Sequence, residues 1–307
     1  MKIPIPSMYY NDLPREESTD LYGLIEKMQT PVHSCKPIGA SLTQKIVRRA
    51  KLEINELRFE SNGNGLAKFD LNEIVIGRIL GSGGFSNVFE ISALASNEKN
   101  ERSYSPIESS LRQALVRDCQ TKSSQKTTPF AIKHLRRRLI DKPNRFANAA
   151  IDLILEAAFL SSLDHQNILK IYGIPAEGPE SYYHGRHDSY FLIVDRLTET
   201  LQDRILSWRK EHKKLKAAWI GSSERRARRT RKLMVERLKV AASIAAALRY
   251  LHSRGLVYRD LKPNNIGFGL DGKVKLFDFG LCRELPAGAD ASLDTVYDMS
   301  GEVGTYK

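Results

Sequence analysis

An α+β fold is predicted, and three features of the chain predict it. Ile79-Leu80-Gly81-Ser82-Gly83-Gly84-Phe85-Ser86-Asn87-Val88 reads as a strand, a glycine turn and a second strand. Two stretches, about Asn144 to Leu163 and Leu233 to His252, repeat apolar residues at helical spacing. Short apolar runs at Tyr190–Leu197 and Lys273–Phe277 read as buried strands. With 307 residues, 41% hydrophobic and 27% charged, the chain can bury a real core and is not globally disordered.

Residues 1–66 carry scattered prolines, the loop Ser61-Asn62-Gly63-Asn64-Gly65 and one helical pattern around Leu42 to Leu57. They are expected to form a partly disordered N-terminal extension. After the glycine turn, residues 95–127 are rich in Ser, Lys, Arg and Gln, and this composition predicts a mobile surface loop. Phe130-Ala131-Ile132-Lys133 comes next. In the helix that follows, Ile151, Leu155, Ala158, Phe159 and Ser162 share a face, and Glu156 lies within it. Leu163-Asp164-His165-Gln166-Asn167-Ile168-Leu169 follows the helix. Between Leu233 and His252, Leu238, Ala241, Ala242, Ala245, Leu248 and Leu251 form the apolar stripe, and its small alanines allow close packing. Asp271-Gly272 marks a hairpin turn.

The chemistry concentrates near the C-terminus. Tyr258-Arg259-Asp260-Leu261-Lys262-Pro263-Asn264-Asn265 is followed by Asp278-Phe279-Gly280. This set supplies an acid for a hydroxyl proton, an Asn and an Asp for magnesium, and a cation for a transferred phosphate. Phosphoryl transfer needs those parts, because its catalysis is mostly positioning and charge neutralisation. The order Asp-x-Lys-x-x-Asn followed by Asp-Phe-Gly resembles the catalytic and metal-binding loops of the eukaryotic protein kinase family, serine/threonine class. The resemblance runs from about Phe69 to Lys307. It implies a two-lobed fold, with a small lobe of antiparallel sheet plus one helix at residues 67–194 and a mainly helical large lobe at 198–307. The cofactors it implies are ATP and Mg2+, and the partners are protein substrates.

By that resemblance Asp260 orients the substrate hydroxyl, Lys262 stabilises the γ-phosphate, and Asn265 with Asp278 ligates magnesium. Lys133 contacts the α/β-phosphates and Glu156 is its ion-pair partner. Leu80, Gly81, Ser82, Gly83, Gly84, Phe85 and Ser86 form the phosphate cradle, with Ser86 standing where a third glycine is usual. Val88 and Ala131 roof the base. Val194 is the gatekeeper, and the backbone from Asp195 to Leu197 bonds adenine. Leu160, Ile171, Tyr258 and Phe279 form an apolar column between the lobes, with Tyr258 in place of the usual histidine. Lys262 followed by Pro263 matches the serine/threonine class. Thr305 matches a residue that meets the catalytic Asp and Lys. Ser292, Thr295, Tyr297 and Ser300 are candidate phosphosites in an activation segment over Leu281–Glu302, and Arg259 is the natural partner for a phosphate placed there.

Arg209 to Lys232 holds eleven Lys or Arg against two Glu, so its net of +9 supplies most of the chain's +12. The block reads as a solvated loop, or as a docking site for an acidic partner, a nuclear-import receptor or an anionic surface. No specific nucleic acid is expected, because the charge is confined to one segment. Cys35, Cys119 and Cys282 are widely separated, which argues against a disulfide framework or zinc site and suits a reducing compartment. Cys282, close to Asp278, is either a reactive thiol or, more in keeping with its setting, an ordinary loop cysteine. Met1-Lys2-Ile3-Pro4-Ile5-Pro6 lacks the apolar core of a signal peptide, Lys2 excludes a myristoylation start, and no run is long enough to cross a bilayer. An intracellular protein, cytoplasmic or nuclear, is expected. The chain stops before an Ala-Pro-Glu motif, so a truncated large lobe is expected. The reading alternative to an active kinase is an ATP-binding, pseudokinase-like regulatory module or an inactive fragment.

Overall fold

A computed structural model describes residues 37–58, 65–95, 104–123, 128–217 and 223–285 of the chain. Its first helix, α1 (Ala40–Glu56), falls on the predicted Leu42–Leu57 periodicity and buries Thr43, Ile46, Val47 and Ala50 along one stripe. Six strands then build one sheet: β1 (Ala67–Phe69), β2 (Ile74–Ser82), β3 (Ser86–Leu94), β4 (Phe130–Leu135), β5 (Ile171–Pro175) and β6 (Phe191–Asp195). Their spatial order is β1-β5-β6-β4-β3-β2. All neighbours are antiparallel except β1, which runs parallel to β5 at the edge. Gly173 permits that pairing, since a Cβ there would stand 2.7 Å from the Ala67 carbonyl oxygen.

The two faces of this sheet alternate along each strand, as the two-residue pleat requires. Ala131 and Leu135 of β4 and Leu192 and Val194 of β6 face α3 (Pro143–Ser162) in one core. Phe130 and Ile132 of β4 and Phe191 and Ile193 of β6 face the other way, into a second core with Leu115 and Cys119 of α2 (Pro106–Ser123). The expectation of a mobile loop over 95–127 is therefore corrected for its described part, which contains this helix. Leu111, Leu115 and Cys119 repeat at four-residue spacing and bring an apolar stripe to the sheet, which the polar composition had hidden. A buried ion pair fixes the helix: Arg112 Nη2 lies 2.8 Å from Glu73 Oε1, with both side chains fully buried. The Arg112 guanidinium also sits 4.5 Å from the centre of the Phe69 ring and 4.6 Å from that of Tyr104. The first lobe thus carries α1 and α2 in addition to the one helix expected.

The second lobe comprises β7 (Leu197–Thr200), α4 (Leu201–Ala217), α5 (Ser223–Ser253), β8 (Leu256–Val257), β9 (Ile266–Gly269), β10 (Val274–Leu276) and β11 (Arg283–Glu284). β7, β9 and β10 form one small antiparallel sheet, and β8 pairs with β11. Reciprocal bonds between Thr200 and Asp203 cap the start of α4. The basic block of 209–232 is not a loop in its described part. It forms the last turns of α4 and the first turns of α5, because Arg, Lys, Leu and Ala are good helix formers. Leu233, Val240, Ala247 and Leu251 bury one side of α5, while Met234, Val235 and Leu238 are exposed. Among the described residues no helix is long and apolar enough to cross a membrane.

Candidate functional site

Strand β4 and helix α3 meet at one ion pair. Lys133 Nζ lies 2.8 and 2.6 Å from the two Glu156 carboxylate oxygens and 3.1 Å from Asp278 Oδ1. Burial by itself would depress the Lys133 ammonium, but the charges of Asp278 and Glu156 outweigh it and hold its pKa above normal. Burial raises Glu156, offset in part by Lys133 and by a backbone hydrogen bond from Phe279. Asp278 is held below the ordinary carboxylate range, chiefly by the charge of Lys133. The lysine is therefore a fixed cation at the junction of sheet, helix and the Asp278 turn.

The second constellation lies in the loop between β8 and β9. Asp260 Oδ2 accepts hydrogen bonds from Lys262 Nζ at 2.7 Å and from Asn265 Nδ2 at 2.8 Å. The same Asn265 nitrogen reaches the Asp260 carbonyl at 3.1 Å. A short 3-10 turn, Pro263–Asn265, brings these residues round, and Phe277 N–H donates to the Asn265 carbonyl at 3.0 Å. Arg259 and Asp278 both adopt left-handed backbone, with φ of 66° and 68°. Such conformations cost energy for residues with a side chain, so the surrounding structure must impose them. Tyr258 helps to do so: its hydroxyl donates to the Phe277 carbonyl, and its ring meets Phe279 edge-on at 5.2 Å. Leu160, Ile171, Tyr258 and Phe279 are all buried in one core, which joins the two lobes behind the site.

Above these groups, β2 and β3 are joined by the glycine turn. Gly83 N–H donates to the Ser86 carbonyl at 2.9 Å, and Ser82 Oγ donates to Asn87 Oδ1 at 2.9 Å. Phe85 is exposed at the tip, and a Cβ on Gly81 or Gly84 would meet nothing within 4 Å. Arg136, just past β4, grips the turn from below: its Nη1 donates to the Gly83 carbonyl at 2.6 Å and its N–H to the Phe85 carbonyl at 2.9 Å. Sequence reasoning missed Arg136, since it sits among other arginines with no spacing signal.

Leu80 and Val88 pack against the first core, beside buried Ala131 and Val194. In the connector, Asp195 N–H donates to the Lys170 carbonyl at 3.0 Å and Arg196 N–H to the Pro129 carbonyl at 2.9 Å. Those two donors are thus engaged within the protein. Arg196, also missed from sequence, forms a buried ion pair with Glu90 of β3. Cys282 is fully buried and its thiol is pushed up to about 12 by burial, which leaves it protonated and unreactive. Ser292, Thr295, Tyr297, Ser300 and Thr305 lie outside the described residues.

Asp278 and Asn265 offer two hard oxygen donors with no third protein ligand needed, which suits magnesium completed by phosphate oxygens and water. Among the described residues no cluster of three or more His, Cys, Asp or Glu could hold a metal by itself. Asn265 turns its amide nitrogen toward Asp260, so its amide oxygen points away from that carboxylate.

Comparison with known proteins agrees with this geometry. Residues 113–306, more than half of the chain, match the model of the protein kinase domain. The chain is 31% identical over 153 residues to the serine/threonine-protein kinase PknD of Chlamydia muridarum, covering 49% of this chain and 14% of that protein. It is 31% identical over 159 residues to the probable serine/threonine-protein kinase PBL5 of Arabidopsis thaliana, covering 50% and 30%. A shorter stretch of 57 residues is 49% identical to the protein kinase C zeta type of Oryctolagus cuniculus, covering 18% and 10%. The chain spans less than a third of the length of each of these relatives. The matched span takes in Lys133, Glu156, Asp260, Asn265 and Asp278 together, and on that ground the chain belongs to the protein kinase domain family.

Proposed function

We propose that the protein is a serine/threonine protein kinase, which transfers the γ-phosphate of ATP to protein hydroxyl groups with magnesium. The observation that carries this reading is the convergence of Lys133, Glu156 and Asp278 within 3.1 Å of Lys133 Nζ, beside the Asp260–Lys262–Asn265 cluster. In this role Lys133 holds the α/β-phosphates, and Glu156 keeps the lysine from swinging away. Asp260 accepts the proton of the attacking hydroxyl as the P–O bond forms, and Lys262 faces the charge on the transferred phosphoryl group. Asn265 and Asp278 would hold magnesium, which supplies charge neutralisation on the phosphate oxygens when bound. Gly81 to Ser86 would close over the phosphates. Lys262 followed by Pro263, together with the similarity to serine/threonine-protein kinases, supports serine and threonine as acceptors. The exposed lysines and arginines of the α4–α5 arm would meet an acidic partner rather than the nucleotide.

The test is a phosphorylation assay with Mg-ATP and a generic basic protein substrate. Wild type should transfer phosphate, and Asp260→Asn and Lys133→Met should each lose about 100-fold or more in kcat. Asp260→Asn should still be stabilised by Mg-ATP, by about 2–3 kcal/mol at a hundredfold excess over Kd. Stabilisation of the wild type without any turnover would favour the ATP-binding regulatory module instead.

A further inference from the structure

Helix α3 is buried on more than the single face that a surface helix hides. Ala149, Ala150, Ile151, Leu153, Ile154 and Leu155 are consecutive or nearly so, and all are buried. One side meets the sheet and carries Glu156. Helix α1 packs along α3 and contributes Ile46 and Ala50, each with no exposed surface, to the same core. Three fastenings hold α1 along its length. Ile38 N–H donates to the Gly185 carbonyl at 2.9 Å. Lys51 pairs with Glu180. At the far end, Arg58 N–H donates to Glu284 Oε2 at 3.0 Å, and its guanidinium donates to the Leu285 carbonyl.

That last clasp ties α1 to the reacting region. Glu284 belongs to β11, which follows the Asp278 turn and pairs with β8 directly ahead of Arg259 and Asp260. Asp152, one turn before Glu156 on α3, packs beside Gly280, where an added Cβ would lie 3.5 Å from its own. Glu53, Leu57 and Arg58 of the α1 end, Leu155 and Phe159 of α3, and Glu284 surround one depression. A single element thus touches the helix that aims Glu156 and the strand that follows Asp278. It lies ahead of the 113–306 span that matches the family.

We propose that α1 is a positioning element: by covering α3 and clasping β11 through Arg58, it sets the Lys133–Glu156–Asp278 triangle. The proposal rests on the kinase reading above. Because Lys133 meets both carboxylates at hydrogen-bond distances, a small shift of α3 or β11 misplaces the lysine relative to the phosphates.

The experiment uses the full chain with Arg58→Glu, Glu284→Arg and the charge-swapped double variant. The readouts are kcat and KM for ATP, thermal midpoint, and amide hydrogen exchange in α3 and β11. Each single variant should speed exchange in both elements and lower kcat about tenfold, with KM and thermal midpoint little changed. The swapped pair restores the charge attraction, 3.6 Å between Arg58 Nε and Glu284 Oε1 in the native protein, but not the bonds to the Arg58 N–H and the Leu285 carbonyl. It should therefore recover part of that loss. A merely structural contact would instead lower the thermal midpoint and leave kcat unchanged in the single variants. Ala50→Asp, which forces a charge beneath α1, should give a larger loss of the same kind; if it does not fold, the Arg58 and Glu284 variants decide. Single variants with wild-type kcat and exchange, or a swap as slow as the singles, overturn the proposal. Faster exchange in Arg58→Glu, in a protein whose wild type transfers no phosphate, would sink the kinase reading and leave the positioning role standing.

Discussion

Asp152 shows how one residue of α3 links burial to pH. Burial is the main cause raising its carboxyl, from 3.8 to about 6. Arg283 of β11 and Arg49 of α1 oppose that rise, while Glu53 of α1 and Asp278 add to it. A raised acid pKa means that the folded chain holds a proton that the unfolded chain has already lost. Ionised Asp152 therefore disfavours the fold, and stability falls as pH rises through the window from about 4 to about 6. In the ligand-free protein, Asp152→Asn should be more stable than wild type by about 1–3 kcal/mol at pH 8, with the gain gone near pH 4. Urea melts at the two pH values measure this, and an equal effect at both would contradict it. The first-rank candidates, Lys133, Asp260, Asn265 and Asp278, were legible in the sequence because their order and spacing are fixed by the chemistry. Arg136, Arg196 and Asp152 were not. Each acts through a backbone carbonyl, a glutamate or a neighbouring turn that is distant in sequence, and no local pattern announces such a contact.

At the scale of elements, α2 tests whether a polar insertion can be structural. Its Arg112 is wholly buried against Glu73, so removing one partner strands the other charge away from water. Arg112→Ala should cost about 3–5 kcal/mol, and the double variant Arg112→Met/Glu73→Leu should cost less than Arg112→Ala alone. Chemical denaturation of both variants gives the comparison; a double variant worse than the single would show that the pair is net stabilising. The reading of 95–127 failed because composition was weighed over period. The four-residue spacing of Leu111, Leu115 and Cys119 was available, but the sheet face that it covers was not. The basic block misled in the same way, since charge density says how solvated a segment is and not whether it is helical. Strand β6 and helix α3 were legible, because a short apolar run and a helical period agree with their burial in the folded chain, and the glycine turn marked the β2–β3 hairpin.

For the whole molecule, the charge distribution is uneven. Most of the net positive charge stands on the α4–α5 arm, with Arg225, Arg228, Arg229 and Arg231 exposed, while the ion pairs of the site are largely buried. Exposed charges separated by more than a Debye length, about 8 Å at physiological salt, hardly influence one another. Neutralising Arg225, Arg226, Arg228 and Arg229 to Gln should therefore leave Mg-ATP stabilisation within about 0.5 kcal/mol of wild type. Thermal shift with and without Mg-ATP reads this directly, and lost stabilisation would show that the arm reaches the nucleotide.

The amino-acid sequence determined the family and nominated the candidate reacting groups, because both depend on residue type at short spacing. Tertiary structure alone decided that α1 lies along α3, that α2 closes the second face of the sheet, and that Arg58 reaches Glu284. Those contacts join residues far apart in the chain, where each partner's chemistry becomes specific only once folding has brought the other against it.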